Sequence, residues 1–235
     1  KLPPPSSMAS ANIASTLRRS LLIKLITKQA PSREDVSSVI ELTASKVVEA
    51  LQAQSMTMYL LEGNDIVFKQ VYYSPTLWAR EPALEKKLQE TAAKLLTLKL
   101  PLGTGVVGKV IQTGEPIFFQ NPESQAPFMS STAKSTVVDV RSMLTVPLKT
   151  NNKVIGAIQV LNKELSAGTD GEFTDKDLVL LKEVGEYSAA LLQRMLDPKF
   201  ELNADDTAKF VAKLTDLPLV TKIEDVEVDE KLLEV

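Results

Sequence analysis

One stretch, residues 141–164, constrains the fold of this chain more than any other. It reads RSMLTVPLKTNNKVIGAIQVLNKE, two apolar runs joined by Asn151 and Asn152. Asparagine tolerates the left-handed backbone of a tight turn, so these runs predict a β-hairpin. The segment FTDKDLVLLKEVGEYSAALLQRML follows, with helical spacing of its apolar residues, Thr174 as a candidate N-cap and Asp177 in the first turn. An antiparallel hairpin closed by a long helix favours an α+β fold.

A glycine-rich motif, GTGVVG at residues 103–108, offers a competing interpretation because it matches the G-x-G-x-x-G pattern of dinucleotide sites. Such a site needs a buried strand before the glycines, a crossover helix and a parallel strand after it. Here the next well-defined strands form an antiparallel hairpin. We therefore expect the glycines to be structural: Gly103 and Gly105 in a sharp turn, Gly108 at a close helix–sheet contact, and Gly114 at a helix end.

The remaining elements follow from periodicity and turn residues. A helix is predicted from about residue 15, a second from Ser32 as N-cap to about residue 52, and a third over 83–98. A hairpin turn is predicted at residues 62–65, where Gly63 and Asn64 would both supply positive φ. We expect three regions: a disordered tail or vector residues at 1–13, one domain at 14–197, and at 198–235 a linker with the start of a second small α/β segment.

The composition excludes several classes of chemistry. The chain contains no Cys and no His, which leaves no thiolate nucleophile, no Ser-His-Asp triad, no His-ligated haem and no ordinary zinc site. Its carboxylates form no recognisable catalytic pair, so we expect no catalytic residue and no bound metal. A net charge of −3 disfavours a nucleic-acid partner. No apolar run is long enough for membrane insertion, and we expect a cytoplasmic protein.

Four segments together resemble the GAF domain family: GTGVVGKVIQTGEPIFFQNP, RSMLTVPL, VIGAIQVLNK and FTDKDLVLL, within residues 32–196. The resemblance implies the PAS/GAF superfold, a central antiparallel sheet of about six strands with terminal helices on one face and short helices and loops on the other. Members that attach bilin or reduce methionine sulfoxide use Cys, and haem sensors use His. The resemblance therefore implies no haem and no covalently attached bilin here.

A finer likeness concerns the cyclic-nucleotide-binding members of that family. Their Asn-Lys, Phe, Asp-Glu pattern is matched by Asn162, Lys163, Phe173 and Asp177, whereas Leu178 stands in place of the final Glu. The match implies a structural clamp in which Lys163, at a strand end, pairs with Asp177 in the first turn of the closing helix. The alternative is that this clamp is purely architectural and says nothing about a ligand.

The resemblance also implies a ligand pocket between the sheet and the small-helix face, with a cyclic nucleotide as the leading ligand. Phe128 would stack on a base, and Thr136 falls where cyclic-nucleotide binders often have a contacting Thr. Ala133 departs from the pattern, since binders tend to have Asp there. The candidate ligand-binding residues are Phe128, Ser131, Thr136, Asp139 and Arg141; the alternative for each is ordinary loop packing.

The tail, DDTAKFVAKLTDLPLVTKIEDVEVDEKLLEV, resembles the start of the amino-terminal domain of type II secretion and type IV pilus assembly ATPases. Residues 216–219 (DLPL) and 228–233 (VDEKLL) carry this likeness. It implies an ATPase domain or subunit as a partner, because the chain itself has no Walker A loop. The alternative is a linker and docking helix without family significance.

Two functions follow from these observations. The first is a non-catalytic sensory or regulatory module that binds a small molecule and signals through its terminal helices. The second is a ligand-free dimerisation or docking module. Both imply a homodimer built from the apolar stripes of the terminal helices, unless those stripes pack on their own sheet: Leu17, Leu21 and Leu25, with Leu181, Val184, Leu191 and Met195.

Overall fold

A computed structural model of the chain describes residues 7–26, 33–79, 81–120, 139–165, 171–197 and 199–216. In these ranges the helices are α1 (Ser7–Ile26), α2 (Arg33–Leu51), α3 (Ala83–Leu95), α4 (Gly105–Thr113), α5 (Asp175–Leu196) and α6 (Ala204–Asp216). The strands are β1 (Ala53–Glu62), β2 (Asp65–Tyr73), β3 (Lys99–Pro101), β4 (Ile117–Phe119), β5 (Met143–Thr150) and β6 (Lys153–Lys163), and a 3₁₀ turn spans Pro75–Leu77.

All of these strands join one sheet in the order β3-β2-β1-β6-β5-β4, and every neighbouring pair is antiparallel. This is the architecture that the resemblance predicted, and the α+β fold class is confirmed. The strand that follows α4 is itself antiparallel to β5. The glycine motif therefore does not open a βαβ unit within the described residues.

The turns agree with the sequence in most details. Asn151 and Asn152 both have positive φ, 47° and 63°, as a two-residue hairpin turn requires. In the β1–β2 turn Gly63 has φ 62°, but the prediction of positive φ for Asn64 is wrong. Gly63 alone supplies that conformation in this turn, because glycine has no Cβ to clash.

Glycines at both ends of α4 shape its short approach to the sheet. Gly103 (φ 96°) and Gly105 (φ 61°) turn the chain into the helix. Gly114 (φ 69°) ends it, donating its N–H to the Val110 carbonyl at 2.9 Å. A Cβ on Gly108 would lie 2.6 Å from the Gly103 carbonyl carbon. The close contact at Gly108 is therefore with the preceding turn rather than with the sheet, which corrects the expectation.

The two faces of the sheet carry separate apolar clusters. One face, here called the helical face, packs against α2 and α5; α1 and Phe210 of α6 belong to the same apolar cluster and pack on those helices. The opposite face, here called the α4 face, packs against α4 with Phe119, Val140 and partly buried residues of α3. Terminal helices on one side and smaller elements on the other match the predicted layering.

The N-terminal helix differs from its prediction in extent and in role. It begins at Ser7, inside the segment expected to be disordered. Leu17 and Leu21 of its stripe are buried in the helical-face cluster, as are Leu181, Val184 and Leu191 of α5, and Met195 packs partly buried against it. The described residues of these stripes are therefore buried within the domain itself, those of α1 mainly against α2 and α5. Nothing is described of the Leu25 side chain, and Ser32 lies outside the described residues.

Candidate functional site

A row of polar side chains crosses the middle of the α4 face. Thr145 of β5 pairs with Gln159 of β6, and Gln159 pairs with Thr57 of β1. Residues directly opposite each other in a sheet point to the same side, and alternate residues share a face. Met143 and Ala157 belong to the α4-face cluster, so their second neighbours Thr145 and Gln159 lie on that face too. These three residues form what we call the polar row.

The row is hydrogen-bonded through the Gln159 amide. Its Nε2 donates to Thr145 Oγ1 at 3.1 Å and lies 3.1 Å from Met143 Sδ. Its Oε1 accepts from the Tyr59 hydroxyl at 3.4 Å. Thr145 is fully buried, whereas the Gln159 and Thr57 side chains are half-buried. The amide is therefore held in place on a side chain that is only half-buried.

Tyr59 adds a further hydroxyl beside the row, and this hydroxyl is uncharged. Burial raises the pKa of the Tyr59 hydroxyl above its ordinary value, since the tyrosinate would lose its hydration. Near neutral pH the hydroxyl remains protonated and can donate. Together, hydroxyls and one amide offer neutral donors and acceptors, which suit an uncharged polar ligand group.

Asn162, the first residue of the predicted clamp, fastens the segment that leads into β5. Its Oδ1 accepts from the backbone N–H of Arg141 (2.6 Å) and of Ser142 (3.1 Å), and its Nδ2 donates to the Asp139 carbonyl (2.6 Å). The side chain is fully buried, and its φ is 55°. This one amide therefore fixes the backbone on which two of the candidate ligand residues lie.

The other three clamp residues meet at the start of α5. Lys163 Nζ lies 2.5 Å from Asp177 Oδ2, with each side chain 11% exposed. The same Asp177 oxygen accepts from Thr174 N at 2.7 Å and completes a capping box with Thr174. Phe173 is buried in the helical-face cluster, with its ring centroid 6.0 Å from Lys163 Nζ. These contacts tie β6 to the N-terminus of α5 and need no ligand.

The candidate ligand residues separate into two groups. Phe128, Ser131 and Thr136 lie outside the described residues. Asp139 and Arg141 are exposed, while Val140 between them is buried in the α4-face cluster. The structure thus brings the clamp residues together and places Asp139 and Arg141 at the border of the α4 face.

The structure adds residues that the sequence reasoning missed. Gln120 pairs with the Phe173 backbone through both of its amide atoms, which joins β4 to the loop before α5. Gln159, Thr145 and Tyr59 were also missed. One signal was readable: Gln159 interrupts the otherwise apolar run VIGAIQVL. A lone amide in such a run marks a polar position on one face of a strand.

Two further findings bear on the range of functions. No group of carboxylates within the described ranges is arranged to hold a metal ion. Among the helices of the described part, none combines the length and the apolar character needed to cross a membrane.

Comparison with known proteins gives a consistent result. A family model described as GAF domain matches residues 33–193, and no curated protein matches the chain. The GAF domain of a phosphoenolpyruvate-protein phosphotransferase from Coxiella burnetii has TM-score 0.59 and 14% identity, covering 83% of this chain and 98% of that one. The corresponding domain from Acinetobacter has TM-score 0.55 and 16% identity, covering 79% and 96%. Free methionine-R-sulfoxide reductase from Neisseria meningitidis, in complex with its substrate, has TM-score 0.55 and 14% identity, covering 82% and 93%. At such identities these likenesses concern the fold.

Proposed function

The chain belongs to the GAF domain family, and from that premise we propose that it is a sensory or regulatory module that binds a small molecule on its α4 face. The observation that carries this proposal is the polar row Thr145–Gln159–Thr57, which crosses three strands in the middle of an otherwise apolar face. Polar groups placed there reduce the apolar burial that stabilises a domain. Binding of a ligand to these polar groups would explain why the face carries them despite the lost apolar burial.

A cyclic nucleotide is the ligand class that we propose first. The half-buried Gln159 and Thr57 side chains offer both donors and acceptors, as the edge of a nucleobase requires, and the buried Tyr59 and Thr145 hydroxyls position the Gln159 amide. Asp139 and Arg141, exposed beside the α4-face cluster, would contact the more polar end of the ligand. The likeness of Asn162, Lys163, Phe173 and Asp177 to the cyclic-nucleotide-binding pattern supports the same class.

We propose that the module is not an enzyme. The chain has no Cys, so it lacks the thiols on which the sulfoxide-reducing members of the family depend. The polar row itself combines hydroxyls and an amide and includes no basic group that would activate them. Turnover of a cyclic nucleotide by the purified protein would contradict this part of the proposal.

The test is ligand binding measured with cyclic AMP, cyclic GMP and cyclic di-GMP by thermal shift and calorimetry. A ligand that binds only the folded state raises the free energy of unfolding by about 2.7 kcal/mol at one hundred times its Kd. We expect at least one of the three to raise the melting temperature. An unchanged melting temperature with all three at millimolar concentration would contradict the cyclic-nucleotide proposal.

Matched variants locate the site. Gln159→Leu and Thr145→Val remove the row's polar atoms at similar volume, and we expect each to weaken binding at least tenfold. Thr150→Val makes the same chemical change away from the row, at a buried hydroxyl with no hydrogen-bond partner among the described residues, and should leave Kd unchanged. Equal losses in Thr145→Val and Thr150→Val would contradict a site at the polar row.

The second function, dimerisation through the terminal helices, retains one supporting observation. Ile23 of α1 is 45% exposed and Leu196 of α5 is 60% exposed, although the stripes first considered are buried. We propose that a homodimer would use such exposed positions, with an ATPase domain or subunit as the output partner. Sedimentation at micromolar concentration tests this, with Leu196→Glu expected to give a monomer; a wild-type monomer would contradict the dimer.

A further inference from the structure

The last described helix, α6, is held to the domain by the β5–β6 turn. Asn151 donates from its backbone N to Asp206 Oδ2 (2.7 Å) and from Nδ2 to the Glu201 carbonyl (2.9 Å). Its Oδ1 accepts from Asn203 N at 2.9 Å. Asn203 Oδ1 in turn accepts from Asp206 N at 2.7 Å, which caps the helix. One turn residue thus binds both the connecting loop and the first turn of α6.

A second set of contacts joins the middle of α6 to α5. Phe210 is 2% exposed and meets Tyr187 edge to face, with ring centroids 5.1 Å apart at 88°. Lys209 pairs with Glu186 at 2.5 Å, and Lys213 pairs with Glu183 at 2.9 Å. Basic positions of α6 therefore lie on acidic positions of α5, on either side of one aromatic contact.

Glu183 connects this contact to the other end of the chain. Its Oε2 lies 2.7 Å from Arg18 Nε of α1, while its Oε1 pairs with Lys213. The Glu183 side chain is only 12% exposed, so the carboxylate is largely desolvated and depends on these cations. The helices α1 and α6 thus pair with the same carboxylate of α5.

The helix α6 buries fewer side chains against the domain than α5 does. Among the side chains described over residues 204–213, Phe210 is the buried one, and Val211 beside it is 46% exposed. By contrast, α5 buries apolar residues from Leu180 to Leu192 against the sheet and its neighbouring helices. Elements with few buried contacts open locally at a lower free energy than that of global unfolding.

We propose that Asn151, Glu183, Glu186 and Tyr187 form a helix-docking site, here called the α6 seat, whose occupant is this chain's own α6. The helix leaves and returns while the domain stays folded. Complementary charge and one buried ring define the occupant. It is a helix with an aromatic residue, Phe210, that has one lysine directly before it (Lys209) and another three positions after it (Lys213). This inference goes beyond ligand binding and does not depend on it.

Hydrogen exchange of the full chain, read at the amides of 205–213 and at those of α5, tests the proposal. We expect wild-type α6 to exchange at least tenfold faster than the buried part of α5. Phe210→Ala should accelerate α6 at least tenfold further and leave α5 unchanged. Val211→Ala, an apolar truncation on the exposed side of the same helix, should change α6 exchange less than twofold.

The turn provides a second matched pair. Asn151→Gly and Asn152→Gly both suit a backbone with positive φ, but only the first removes side-chain hydrogen bonds to Glu201 and Asn203. We expect Asn151→Gly to accelerate α6 exchange at least tenfold and Asn152→Gly less than twofold. Equal responses in either pair would overturn the α6 seat.

Two other outcomes would also overturn it. If wild-type α6 exchanges as slowly as α5, the helix is released only by global unfolding and is a fixed part of the domain. If its protection falls on dilution, the occupant is α6 of a second copy rather than the chain's own helix.

Discussion

The two faces of the sheet differ most at neighbouring positions of the same three strands. On the helical face, Val146, Ile158 and Met58 pair across β5, β6 and β1 and are all fully buried. One residue along each strand, the α4 face carries Thr145, Gln159 and Thr57 instead. The apolar row lies in the cluster that α2 and α5 cover, whereas the polar row forms hydrogen bonds within itself through the Gln159 amide. We infer that stability is concentrated on the first face and ligand recognition on the second.

The largest expected effect comes from truncating the apolar row. Ile158→Ala should lower the free energy of unfolding by about 3 kcal/mol, because it removes buried methylene groups and leaves a cavity. Gln159→Ala, the next residue on the opposite face, should cost less than about 1 kcal/mol. Urea denaturation of both variants measures the difference, and equal costs would break the comparison between the faces.

Exchanging polarity between adjacent residues of β5 tests the comparison at nearly constant volume. Val146→Thr should cost roughly 2 kcal/mol, because it buries a hydroxyl in the predominantly apolar helical-face cluster. Thr145→Val should cost less than about 1 kcal/mol, because the half-buried Gln159 amide can turn to water or Met143 Sδ. Thermal and urea unfolding measure both. A larger loss in Thr145→Val would mean that the polar row is a structural element of the core.

The smallest effect is the response to alkaline pH, and it should be similar on both faces. Burial raises the pKa of Tyr59 on the α4 face and of Tyr187 on the helical face above the ordinary value of 10.0. The folded state holds these protons more tightly, so their contribution is complete below pH 10 and is lost as pH rises above it. Each tyrosine should cost about 1.4 kcal/mol at pH 11.

The Tyr59→Phe and Tyr187→Phe variants isolate these contributions. Each should lose about 1.4 kcal/mol less than the wild type between pH 9 and 11 in urea denaturation. If Tyr187→Phe behaves so and Tyr59→Phe does not, water reaches the Tyr59 hydroxyl, and the α4 face is more open than the helical face.

Local sequence signals predicted the fold well. The Asn151–Asn152 turn, the capping box of Thr174 with Asp177, and the helix end at Gly114 each depend on residues within a few positions of one another. Turn and cap preferences act at that range, so they are readable in one sequence. The GAF resemblance then supplied the antiparallel sheet of about six strands and its two layers of helices, and the structure supplied the order of the strands.

The candidate site was less predictable because its contacts join distant residues. Gln159 meets Tyr59, a hundred residues away along the chain, and Asn151 meets the approach to α6 some fifty residues later. Gly108 shows the same limit at short range: its spacing predicted a close approach, but only the backbone path identifies the Gly103 turn as the neighbour. Pairings of this kind depend on strand register and helix placement.

The β5–β6 hairpin carries Thr145 and Gln159 near its middle and Asn151 at its tip. Asn151 comes six positions after Thr145, a distance of about 20 Å along an extended strand, so the hairpin connects the proposed recognition surface to α6. If a bound ligand stabilises the docking of α6 by some free energy, then docked α6 must increase the affinity for the ligand by the same free energy. The coupling free energy can be measured as the difference in Kd between the full chain and a shortened chain that ends at Leu196.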